Sequence, residues 1–100
     1  MQTFAILRRN AWQNPEELQQ AAERSTKIGN EEMPDEVRWI RSYVVRHDDG
    51  TLGTVCIYQA TGADAIAEHA RRAALKADEI LPVVDTVVVR EDPAPAGQAA

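Results

Sequence analysis

The segment from Val37 to Tyr58, VRWIRSYVVRHDDGTLGTVCIY, constrains the fold of this chain more than any other. Its β-branched and aromatic residues read as two long strands, and His47-Asp48-Asp49-Gly50 between them supplies the Asp-Gly turn of a β-hairpin. Alternate side chains of a strand share a face, so the register of this hairpin decides what the molecule turns inward. Val37, Trp39, Arg41, Tyr43 and Val45 form one set; Arg38, Ile40, Ser42, Val44 and Arg46 form the other. The first set mixes two aromatic rings and a guanidinium with aliphatic groups, which suits the wall of a cavity better than a dry core.

Around the hairpin the remaining elements follow from local chemistry. Gln2 to Arg8 alternates as a first strand, with Phe4 and Ile6 on one face, and Trp12 falls in the connection. Asn14-Pro15-Glu16-Glu17 combines an N-cap, a proline at the first helical position and acidic residues in the first turn. Leu18, Ala21, Ala22, Ser25 and Ile28 then recur at helical spacing, and Gly29-Asn30 is the expected stop. A second helix opens at Thr61-Gly62 and carries a stripe of small residues, Ala63, Ile66, Ala67, Ala70 and Ala73, fit for close approach to a sheet. Ile80 to Arg90 is the expected last strand, with Pro82 at an edge. The order is strand, helix, strand, strand, helix, strand, the split βαβ arrangement of α+β ferredoxin-like folds.

One hundred residues fit a single domain, expected over residues 1–92, with residues 93–100 as a flexible C-terminal tail. A net charge of −5 with no basic cluster argues against nucleic acid, and no apolar run is long enough to span a bilayer. The start, MQTFAILRRN, lacks the order of a signal peptide, so the expected location is cytoplasmic. One cysteine, Cys56, excludes an internal disulfide and paired-cysteine zinc spacing. With both helices on one side, the strand alternation puts Ile40, Ser42, Val44, Val55 and Ile57 under them. Trp39, Arg41, Tyr43, Cys56, Tyr58 and Asp85 then lie on the open face, with Leu7, Val87 and Val89 beside them. Such a patch calls for cover, and a second copy across a two-fold axis would give a homodimeric α/β barrel.

With the elements placed, W-I-R-S-Y-V at Trp39 to Val44, V-C-I-Y-Q-A at Val55 to Ala60 and A-I-A-E-H-A-R-R-A at Ala65 to Ala73 resemble the bacterial domain of unknown function 4242 family, often labelled nickel-binding. The resemblance spans Thr3 to Asp92 and implies a ferredoxin-like homodimer with nickel or another divalent metal as the only cofactor. The nickel label rests on relatives with a histidine-rich first strand. Here that strand is Thr3-Phe4-Ala5-Ile6-Leu7-Arg8, so those ligands do not transfer.

His47 and His69 are the only histidines and the candidate metal ligands. His47, beside Asp48 and Asp49, is either a loose divalent site or a solvated turn. His69 is either a ligand or base aimed at the cavity, or a histidine hydrogen-bonded at the helix border. Trp39, Arg41, Tyr43, Cys56, Tyr58 and Asp85 are the candidate ligand-binding residues. Arg41 either activates Cys56, or anchors a small acid, or pairs internally with Asp85 or Glu32. Phosphate loops, dinucleotide fingerprints, serine elbows and zinc-protease motifs do not occur. No catalytic residue follows from the sequence. Three functions are therefore open: a small-ligand or metal-binding protein, an isomerase-like or oxygenase-like enzyme without an organic cofactor, and an interaction module.

Overall fold

A computed structural model describes residues 1–93. The expected tail falls outside the described residues but for Pro93. The strands β1 (Gln2–Trp12), β2 (Val37–Arg46), β3 (Leu52–Ala60) and β4 (Glu79–Pro82) form one antiparallel sheet in the order β2-β3-β1-β4. The helices α1 (Pro15–Lys27) and α2 (Ala63–Arg72) complete the expected ferredoxin-like α+β fold. None of the described helices is long and apolar enough to cross a membrane.

The expected helix start and hairpin turn work as their chemistry requires, and the expected helix stop does not. Asn14 accepts from the Glu17 backbone N–H at 3.0 Å, and Glu17 reaches back to accept from the Gln13 N–H at 3.0 Å. Gly29-Asn30 does not end the helix outright. The chain widens into one π-helical turn, Ile28–Glu32, closed by Met33 N–H to the Ile28 carbonyl at 3.1 Å, and Met33 drops fully into the core. The hairpin turns at Asp48-Asp49-Gly50, with Gly50 in the left-handed region at φ 88°.

Three expectations need correction. First, β1 runs on to Trp12, which is buried, and it bends between Arg8 and Trp12, where Asn10 takes φ 51°. Second, the last strand stops at Pro82 rather than Arg90. Its antiparallel partner β1 begins at Gln2, so the ladder closes when Val83 N–H bonds the Thr3 carbonyl at 2.9 Å. Beyond it Val84, Val87, Val88 and Val89 leave the sheet and stand 74–93% exposed. Third, the faces are divided differently. A bulge at Ile40 lets Trp39 pair with Tyr58 and Arg41 with Ile57, so Trp39 and Ser42 point to the helix side while Arg41 and Tyr43 point away. In β3, Thr54, Cys56 and Tyr58 lie inward and Val55 and Ile57 outward, the reverse of the expectation.

The core splits into two clusters. Phe4, Ile6, Met33, Val37, Tyr58 and Ile66 pack in one, and Trp12, Ala21 and Leu52 in the other. Polar inward residues, Arg8 and Thr54, stand between them in the sheet sequence.

Candidate functional site

On the helix side α1 stops short of β2. Val44, which pairs with inward-facing Thr54, is 53% exposed, and Trp39 is 39% exposed. The space left between α1 and the sheet is a cleft of about 430 Å³. Trp12, Leu18, Trp39, Val44 and Leu75 give it apolar walls. That size and character are those of small-molecule sites.

Its floor is a line of polar groups that satisfy one another. The Trp39 indole N–H donates to Ser42 Oγ at 2.8 Å, Ser42 Oγ donates to Cys56 Sγ at 3.0 Å, and the Cys56 thiol donates to Thr54 Oγ1 at 3.2 Å. Deeper in, the hydroxyls of Ser25 and Tyr58 share a bond of 3.0 Å. Tyr58 is 2% exposed, and its ring lies flat on Trp39, centroids 6.1 Å apart at 10°. Burial pushes its phenol above the ordinary value, so it stays a neutral hydroxyl at neutral pH.

Arg8 closes the inner end. It is 2% exposed, Nη1 donates to the Lys76 carbonyl at 2.6 Å, and Nη2 is buried without an acceptor. Arg8 is not among the residues expected to bind a ligand. Its signal is parity: Phe4, Ile6 and Arg8 share one face of β1, which puts a cation on the buried stripe.

The six residues expected to bind a ligand therefore part company. Trp39, Cys56 and Tyr58 share the cleft. Arg41 and Tyr43 lie on the opposite face, where both bond Asp92, Tyr43 Oη at 2.7 Å. The pairing of Arg41 with Asp85 or Glu32, and its action on Cys56, are thus replaced by an ion pair with Asp92. The Tyr43 and Arg41 hydrogen bonds hold the Asp92 carboxyl below its usual range. Asp85 is exposed and, among the described residues, accepts only from the neighbouring Thr86 N–H.

The two histidines also lie apart. His47 sits where the hairpin turns, with a buried, unpartnered Nε2. His69 is 1% exposed, packs at 5.5 Å on the Tyr58 ring, and shares a 3.0 Å hydrogen bond with the Ser25 carbonyl, which fixes Nε2 as the donor. Burial is the main cause that pushes its pKa below 6.5. The unfolded chain then binds the proton more readily than the folded one, so stability falls as pH drops below about 6.5. Urea unfolding between pH 7.5 and 5 is expected to show this loss, and His69→Gln to flatten it. An equal slope in both proteins would contradict it. Glu68, held down to about 2 by Arg71 and Arg72, is lost only in far stronger acid.

No curated protein matches this chain. It is similar to the crystal structure of SCO4226 from Streptomyces coelicolor A3(2), with a TM-score of 0.68 and 21% identity over 85% of this chain and 99% of that one, a likeness of fold. The model of the family described as nickel responsive protein, SCO4226-like, matches residues 4–83, and the chain belongs to that family.

Proposed function

We propose that the protein is a homodimeric binding protein that takes a small organic ligand into the cleft between α1 and the sheet. The observation that carries this reading is the cleft itself: about 430 Å³ of apolar space beneath two indoles, over a floor whose hydroxyls and thiol are already hydrogen-bonded. The neutral dye N-phenyl-1-naphthylamine is expected to bind saturably. Ala22→Trp, on the α1 wall, is expected to abolish that binding while the circular-dichroism spectrum stays unchanged. Dye binding unaffected by Ala22→Trp would overturn the reading.

The second copy is expected on the open face. Val84, Val87, Val88 and Val89 stand in water and Tyr43 and Leu81 are half-exposed, apolar surface that a two-fold partner would cover. Sedimentation is expected to give a dimer at micromolar concentration and a monomer for Val87→Glu/Val89→Glu. A wild-type monomer would remove the dimer.

The family description, with the motif resemblance to the domain of unknown function 4242 group, supports a second reading, a resident nickel ion. The donors of this chain do not fit it. Among the described residues no three His, Cys, Asp or Glu side chains gather, and residues 94–100 contain none of these types. His69 is sealed in the core, and Asp49 is engaged by Thr51 and Asn10. Protein incubated with nickel and passed through gel filtration is expected to emerge without stoichiometric metal. One nickel per chain, lost on His47→Ala or His69→Ala, would overturn this.

His69 meets Ser25 through the main-chain carbonyl and not through the hydroxyl that bonds Tyr58, so these three residues form no continuous side-chain relay for the enzyme alternative.

A further inference from the structure

Arg8 is the one feature of the cleft that the protein does not complete. An arginine guanidinium is a permanent cation in proteins. A buried charge without a counter-ion is costly, and buried charges are accordingly paired. Yet none of the ion pairs among the described residues includes Arg8, and no acceptor among those residues stands in hydrogen-bond geometry to Nη2. The same side chain forms part of the cleft wall.

A second donor lies close by. The Ser25 and Tyr58 hydroxyls share one hydrogen bond, so one of their two hydrogens remains free to donate elsewhere. Arg8, Ser25 and Tyr58 all line the same cleft. The charge available is single. Arg41 borders the cleft from β2, but its guanidinium lies across the sheet on Asp92. The walls above are apolar and aromatic, with no further cation among the residues that line them. One cation, one spare hydroxyl hydrogen and an apolar chamber match a monoanion with a hydrophobic body. A phosphate monoester, with up to two charges and three acceptor oxygens, would be left under-satisfied.

We propose that the ligand of the cleft is a small organic carboxylate, its carboxylate against Arg8 and the Ser25–Tyr58 pair and its apolar body between Trp12 and Trp39. The proposal rests on the cleft being a ligand site and adds the chemistry of the ligand.

Trp12 and Trp39 both line the cleft, so intrinsic fluorescence reports its occupancy. The whole chain is titrated with phenylacetate, with its neutral isostere phenylacetamide and with phenyl phosphate, and dye binding is followed in parallel. Phenylacetate is expected to bind about ten-fold or more tightly than either competitor, the scale of a charge-assisted hydrogen-bonded pair. In Arg8→Gln the acid and the amide are expected to bind alike while the neutral dye still binds. Equal binding of acid and amide by the wild type would overturn the carboxylate assignment and leave the cleft reading standing. A preference for phenyl phosphate would overturn it too. If neither the dye nor phenylacetate enters, both readings fall. The wild-type comparison decides the matter even if Arg8→Gln does not fold.

Discussion

Replacing Gly53 with alanine is expected to lower the unfolding free energy by about 3 kcal/mol, the upper end of over-packing costs, and the melting temperature by more than about 10 °C. The reason lies in the bend of β1. Where Asn10 turns into the left-handed region, the chain brings the Arg8 carbonyl over the start of β3, and a Cβ on Gly53 would stand closer than 3.0 Å to both the Arg8 carbonyl oxygen and His47 Nε2. The histidine ring is the end of a side chain and can swing aside. The carbonyl is backbone held in the sheet and cannot. The same movement would carry Arg8 away from Lys76, to whose carbonyl it donates. Urea unfolding with an unchanged m-value is the check. A loss under about 1 kcal/mol would show that the close approach is not tight.

Tyr58→Ala is expected to cost about 4 kcal/mol, because a buried aromatic side chain is lost from the larger core cluster and the surroundings relax only in part. Trp39 loses its stacking partner and His69 the ring it packs on. Tyr58→Phe keeps both rings in place and removes the hydroxyl with its bond to Ser25, at about 1 kcal/mol. The pair of variants separates packing from hydrogen bonding. Equal losses in the two would contradict the division.

These sites mark where reading the sequence succeeded and where it could not. The order of elements follows from strong local chemistry: the Asn14 cap with Pro15, the Asp49-Gly50 turn, and the alanine stripe of α2. The facing of the hairpin does not. Val44 and Val45, or Cys56 and Ile57, are apolar on both sides, so alternation carries no direction, and the single bulge at Ile40 inverts one half of β2 against the other. Trp39 thus lies with Cys56 and Tyr58 on the helix side, while Arg41 and Tyr43 lie on the other. The length of the last strand was overstated because β-branched residues from Val83 to Val89 express a preference that only a partner strand can satisfy, and β1 ends first. Arg8 is hard to place from the sequence because an Arg8-Arg9 pair resembles the solvated end of a strand. Its parity with Phe4 and Ile6 was the available sign.

The most direct test of the cleft as the site is an amide NMR titration of the whole chain with phenylacetate. The account predicts shifts confined to the cleft, at Ala22 and Ser25 on α1 and at Ser42, Thr54 and Cys56 on the sheet, with His47, Tyr43 and Asp85 unmoved. Shifts centred on His47 or on the Tyr43 face, with those cleft amides silent, would contradict it.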